Sequence, residues 1–168
     1  HHAEPDQAMG FCLFSNVAVA ARVAQAEGLA RVAVIDFDVH HGNGTQAAFE
    51  NDASLFLGSI HQMPLYPGTG AATDIGTGRG ERCTINIPLP AGSGDANYAK
   101  VFDQIIWRAA ERFDPQLVLV SMGFDAYWAD PLAGMRLSLN GYSHLAGEVI
   151  RMARRFCAGK VVFALEGG

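Results

Sequence analysis

Lysine is almost missing from this chain. Lys100 and Lys160 stand against ten arginines in 168 residues, and the basic residues are scattered rather than clustered. With a net charge of −5, that argues against a nucleic-acid-binding surface. Cysteine is as sparse: Cys12, Cys83 and Cys157 are odd in number and share no CxxC spacing. The pattern excludes a Cys-rich structural zinc and reads as reduced thiols of an intracellular, cytoplasmic protein. No apolar run approaches the length of a membrane span, and no signal peptide opens the chain. Internal repeats, linkers and low-complexity stretches are missing too. What remains is 49% apolar and 17% charged, a globular composition long enough for one domain with a real core. The chain lacks an initiator Met and stops directly after an apolar strand, so both ends are expected to be cuts through a larger domain.

Apolar runs alternate with amphipathic ones. Arg31 to Ile35, Ser54 to Ile60, Thr84 to Ile87, Leu117 to Ser121 and Val161 to Leu165 read as buried strands. Between them, Ser15 or Asn16 can cap a helix with Val17, Ala21 and Ala24 on one face and Gly28 at its end. Gln46 to Glu50 could form a short helix. Asp95 is the expected cap of a helix with Tyr98, Val101, Phe102, Ile105, Ile106 and Ala109 inward, stopped at Asp114-Pro115. Asn140 is expected to open a helix with Leu145, Val149, Met152, Ala153 and Phe156 on one face, closed by Gly159. The alternation predicts an α/β fold: a mostly parallel sheet with helices on both faces, three layers in all. Ligands of such sheets bind beyond the carboxyl ends of the strands. Polar loops collect there: Asp36 to Gly44, His61 to Gly70, Gly123 to Asp130 and Gly167-Gly168.

The first of these loops is the most informative. Val32-Ala33-Val34-Ile35 turns abruptly into Asp36-Phe37-Asp38-Val39-His40-His41-Gly42-Asn43-Gly44. Side chains alternate along a strand, so Asp36, Asp38 and His40 project from one side. Carboxylates and an imidazole converging there need a partner, and a divalent cation is the obvious one. Asp38 and His40 have the spacing for two ligands; Asp125 and Asp130 are both available as a third. Three ligands with an open position mark a catalytic metal. A capped or salt-bridged turn is the alternative. Gly76-Thr77-Gly78-Arg79-Gly80 lies in a flexible loop with no strand or helix beside it to make a phosphate cradle, and Ser121 forms no nucleophile elbow.

Asp36 to Gln46 resembles the metal-binding block of the histone deacetylase superfamily, which includes acetylpolyamine amidohydrolases. The resemblance extends in family order through His1-His2-Ala3, Gly10-Phe11-Cys12, Ser59-Ile60-His61, Tyr66-Pro67-Gly68-Thr69-Gly70, Asn86-Ile87-Pro88-Leu89, Gly123-Phe124-Asp125-Ala126, Asp130-Pro131-Leu132 and Leu165-Glu166-Gly167-Gly168. The Gly-Phe-Asp-Ala and Leu-Glu-Gly-Gly forms are similar to the class II branch and its bacterial relatives. The resemblance implies an arginase/deacetylase-type fold, incomplete at both ends, with residues 1–168 as the central and C-terminal part of one deacetylase domain.

For the site, the resemblance implies a single Zn²⁺ held by Asp38, His40 and Asp130, although Fe²⁺ or Co²⁺ suits the same donors. It implies a His1-His2 pair, with His2 taking a proton from the attacking water and returning it to the leaving amine. Asp36 would orient His1. Asn43 stands where many family members carry a carboxylate, so His2 would be less basic than beside an Asp. Phe11 and Tyr66 would wall a tunnel for the methylenes of an acylated lysine or acetylpolyamine, and the Gly10 carbonyl would meet the substrate amide. Asp36 and Ser59 resemble part of an inner K⁺ site. His41 is expected to be a turn residue and His61 a hydrogen-bonded structural one.

Two rival functions are a binuclear manganese ureohydrolase of the same fold and a silent acyl-lysine binder. His41 and Asn43 stand where the first needs more carboxylates, and the intact His and Asp set disfavours the second. The family's oxyanion-stabilising Tyr follows the Glu-Gly-Gly block, beyond Gly168. The 168 residues alone are therefore expected to be poorly soluble or nearly inactive.

Overall fold

The computed structural model describes residues 1–167. Its centre is a sheet of five strands: β1 (Val32–Asp36), β2 (Leu55–Gln62), β3 (Thr84–Leu89), β4 (Leu117–Gly123) and β5 (Val161–Gly167). The order is β3-β2-β1-β4-β5, and every neighbouring pair is parallel. Each strand is an expected one, carried one to two residues further toward its polar end. β1 and β2 are buried at every position, which is why they read as unbroken apolar runs rather than alternating ones.

Alternation along β1 sorts its side chains into two cores. Val32 and Val34 pack with Val17 and Ala21 of α1 (Asn16–Ala26) and Phe49 of α2 (Asn43–Phe49). Ala33 and Ile35 face the opposite layer. There Tyr98 and Val101 of α3 (Asp95–Val101) and Ala110 of α4 (Trp107–Phe113) meet Leu145, Val149 and Met152 of α5 (Leu139–Phe156). The result is the expected three-layer α/β/α arrangement. Gly78–Gly80 adds a 3₁₀ turn. At the outer edge, Val162 and Leu165 of β5 are exposed.

Three local expectations are corrected. A π-helical turn (Phe102–Ile106) joins α3 to α4, and the extra residue rotates the face that follows. Ile106 and Ala110 are therefore fully buried, whereas Ile105 is exposed and Ala109 only half-buried. The residue capping α3 is Gly94, not Asp95. Asp95 instead accepts hydrogen bonds from Ser138 N (2.8 Å) and Ser138 Oγ (2.6 Å), tying α3 to the start of α5. Ser138, not Asn140, caps α5, its Oγ accepting from Gly141 N at 3.1 Å. The expected stops hold: Asp114 adopts a left-handed φ of 52° and Gly159 one of 82°.

The strand order places the site. From β1 the chain builds outward through β2 and β3, then crosses to the other side of β1 for β4 and β5. The crevice between the carboxyl ends of β1 and β4 is the switch point of the sheet, where an open α/β fold binds its ligand. Gly168, the last residue of the fourth polar loop, lies outside the described residues.

Candidate active site and metal centre

Asp38 and His40 follow the end of β1, and Asp125 follows the end of β4, so the three straddle the switch-point crevice. His40 Nδ1 lies 3.0 Å from Asp38 Oδ1 and 3.0 Å from Asp125 Oδ2. One ligand atom from each residue falls within 4.8 Å of the others. Backbone donors aim the carboxylates: His40 N donates to Asp38 Oδ1 (2.8 Å) and Val39 N to Asp125 Oδ1 (3.0 Å). Gly123 leaves the room, because a Cβ there would sit 2.0 Å from Asp38 Oδ2.

Burial raises the Asp38 carboxyl above its usual range, against hydrogen bonding from His40 and the charge of His1. For Asp125 burial again opposes ionisation, but hydrogen bonds from His40 and the Val39 N–H prevail and lower it. Burial likewise opposes a charge on His40, yet its two carboxylate partners lift it to about 9. Two buried carboxylates facing each other call for a cation, and the Asp/His/Asp set of oxygen and nitrogen donors fits a divalent metal.

Asp130 lines the same cavity, but it stands apart from this cluster. Its Oδ1 accepts from Leu132 N (2.9 Å) and Ala133 N (2.8 Å). The donor atoms that come together belong to Asp38, His40 and Asp125; Asp130, the third ligand that the resemblance implies, lines the same cavity without joining that cluster. Asp125, one of the two candidates for a third ligand, stands two residues past the end of β4, as Asp38 stands two past the end of β1.

The His pair is buried beside this donor cluster. His1 Nδ1 lies 2.7 Å from Asp36 Oδ2, and His1 Nε2 lies 3.2 Å from His2 Nε2. His2 Nδ1 in turn lies 2.8 Å from Asn43 Oδ1. Burial disfavours a charged His1, but the Asp36 carboxylate outweighs it and holds His1 up at about 10. His2 is pushed the other way, to about 4, by burial and by the positive His1 beside it. One imidazole is held charged and its neighbour neutral, and the neutral one can accept a proton.

Both rings open into a cavity of about 640 Å³ lined also by Gly10, Phe11, Leu65, Tyr66, Leu132 and Glu166. Gly10 and Phe11 form a turn in which both residues have positive φ, 55° and 62°. It leaves the Phe11 ring fully exposed at the rim. Tyr66 meets His2 and His40 edge-on, with ring centroids 5.2 and 6.2 Å apart. The Gly10 carbonyl accepts the Cys12 thiol at 3.4 Å.

Asp36 and Ser59 are register partners on β1 and β2, and both are fully buried. Ser59 Oγ lies 3.0 Å from His61 Nδ1, and His61 Nε2 lies 2.9 Å from the Gly70 carbonyl. His61 is thus hydrogen-bonded at both nitrogens, as expected. His41 is more than a turn residue: it is buried, 2.8 Å from Thr69 Oγ1 and 3.0 Å from Gln46 Oε1.

A parallel α/β sheet with a carboxylate-imidazole donor set at its switch point and a buried His pair beside it defines a class of metal-site proteins, and comparison with known proteins places the chain within it. The histone deacetylase domain model matches residues 1–168, and the chain belongs to that family. It is 53% identical over 169 residues to "Histone deacetylase 14, chloroplastic" of Arabidopsis thaliana, covering 100% of this chain and 40% of the relative. It is 44% identical over 168 residues to a "Probable deacetylase" of Archaeoglobus fulgidus, covering 100% and 47%. The crystal structure of the HDA15 HD domain superposes with a TM-score of 0.93 at 44% identity, covering 100% of this chain and 49% of that one. The chain therefore spans less than half the length of these relatives.

Proposed function

We propose that the protein containing these residues is a zinc-dependent amidohydrolase that removes acetyl or similar acyl groups from lysine side chains or polyamines. The observation that carries this reading is the buried His1-His2 pair, with His2 Nδ1 2.8 Å from Asn43 Oδ1, in the same cavity as the Asp38, His40 and Asp125 donors. Asp38 and His40, with Asp125 or Asp130, would hold the metal; Zn²⁺ suits them, and so do Fe²⁺ and Co²⁺. Once bound, the ion polarises the scissile carbonyl and makes water a better nucleophile.

The chain's own residues do the rest. Asp36 keeps His1 protonated, and His1 Nε2 lies 3.2 Å from His2 Nε2. When substrate enters, His2 Nε2 takes the proton of the attacking water and delivers it to the leaving amine. Phe11, Leu65, Tyr66 and Leu132 form an apolar rim for the substrate's methylenes. Asp36 and Ser59 are the side chains we assign to a K⁺ site. We further read residues 1–168 as the central and C-terminal part of one deacetylase domain, working in the cytoplasm.

The test is an activity panel on the full-length protein with acetyl-lysine peptides and acetylpolyamines, together with metal counting. Turnover of one class with one metal per chain is expected. Asp38→Ala should lose both metal and activity, and comparing Asp125→Ala with Asp130→Ala decides the third ligand. Binding of acetyl-lysine peptide without turnover, or two metals per chain, would overturn the reading.

A further inference from the structure

Asn43 presents a carboxamide to His2, and a carboxamide has two faces. If its oxygen meets His2 Nδ1, that nitrogen must carry the proton, and Nε2 is left with a lone pair. If its amino group meets Nδ1, the proton moves to Nε2 and the ring can no longer accept one there. The orientation is therefore decided by what lies on the far side of Asn43.

Three acceptors lie there around Nδ2: Glu4 Oε1 at 2.7 Å, the His2 carbonyl at 3.3 Å and Met9 Sδ at 3.3 Å. Glu4 is the shortest contact, and as a carboxylate it accepts and cannot donate. Its backbone is fixed by a tight turn in which Glu4 N donates to the Gln7 carbonyl at 2.9 Å and Gln7 N returns a bond at 3.4 Å. The backbone of Asn43 is held as well: its N donates to the His41 carbonyl at 2.9 Å, and two residues on Thr45 N donates to the His1 carbonyl at 3.1 Å.

We infer that Glu4 is a positioning residue for His2: by accepting from Asn43 Nδ2 it turns the carboxamide oxygen toward His2 Nδ1 and leaves Nε2 as the basic nitrogen. The inference rests on the deacylase reading for its kinetic consequence but not for its structural one. It also makes position 43 and position 4 a matched pair. An aspartate at 43 accepts through either oxygen and needs no selector, but beside Glu4 it would bring two carboxylates together.

The experiment uses the full-length protein and two readouts. In the metal-free protein, ring ¹⁵N spectra of His2 should show the Nδ1–H tautomer; Glu4→Ala should give a mixture, and Glu4→Gln, whose amide oxygen still accepts, should restore it. In the metal-loaded protein, Glu4→Ala should lower kcat roughly tenfold with KM nearly unchanged, the lower end of what outer hydrogen-bond partners contribute. Asn43→Asp should impair the parent protein yet restore kcat in the Glu4→Ala background. Thermal unfolding of each variant separates these effects from misfolding. An unchanged His2 tautomer in folded Glu4→Ala would overturn the inference, as would a double variant no better than Glu4→Ala alone. If the parent shows no deacylase turnover, the proposed function fails while the tautomer still decides the role of Glu4.

Discussion

At position 10 a side chain has nowhere to go. Gly10 holds a φ of +55°, and a Cβ there would lie 2.3 Å from His2 Cδ2. Gly10→Ala must therefore either move the His2 ring or distort the Gly10-Phe11 turn. In the full-length protein it should lower kcat/KM by about 10²-fold, as expected for a displacement of a reacting group by about 1 Å; steady-state kinetics alongside a melting curve checks this. Retention of full rate would show that the ring has slack. The sequence drew attention to Gly10 for its carbonyl but gave no sign that His2 packs against its Cα. Two residues with no periodic relation meet only because the turn folds back. Glu4 is a similar case: it sits in the family-like His1-His2-Ala3-Glu4-Pro5 run, but its contact with Asn43 exists only once the start of the chain lies against α2.

At the scale of elements, the π-helical turn decides which isoleucine belongs to the core. Ile106→Ala should cost about 3 kcal/mol, as for a large core residue, whereas Ile105→Ala on the exposed side should cost less than about 1 kcal/mol. Urea unfolding of the two variants distinguishes them, and equal losses would contradict the rotated face. Periodicity located this helix but not its phase, because a single inserted residue shifts every later position by about 100°.

Another link joins α1 to β2 through Asp52. Its carboxylate accepts from Ser54 N (2.9 Å), Ser54 Oγ (2.6 Å) and Arg22 Nη1 (2.7 Å). Burial opposes the charge, but these hydrogen bonds prevail and hold the Asp52 carboxyl down at about 2. A carboxyl lowered on folding stabilises the native state above its unfolded pKa of about 4. That contribution disappears as the pH falls through its folded value near 2. Asp52→Asn should lose about 1 kcal/mol at pH 7, with the gap to the parent closing between about pH 4 and 2 in acid-unfolding curves. A gap independent of pH would rule out the ionic contribution.

For the whole molecule, the candidate metal centre joins two chain segments far apart in sequence, the ends of β1 and β4. A cation bound there stabilises the folded state by mass action, by about 2.7 kcal/mol at a free concentration one hundred times Kd. Adding Zn²⁺ to metal-free full-length protein should therefore raise its Tm, and Asp38→Ala should abolish the rise. A Tm indifferent to metal and chelator in the parent protein would remove the site.

Much of the architecture was determined by the sequence alone. Buried parallel strands leave continuous apolar runs, and amphipathic helices between them leave a periodic stripe, so the strand count, the layers and the polar carboxyl edge were all legible. The Asp38-His40 pair was legible as a candidate donor pair because both residues sit on one short stretch. The tertiary structure decided what depends on distance through space. It set β4 beside β1 and so brought Asp125 to within 3.0 Å of His40. It gathered Arg108 of α4 with Arg151, Arg154 and Arg155 of α5 along one groove of about 650 Å³, although the basic residues look scattered along the chain. It also placed Glu4 behind Asn43. Local patterns record which side chains must be buried, whereas the pairing of polar groups from separate loops is fixed only when the sheet order brings those loops together.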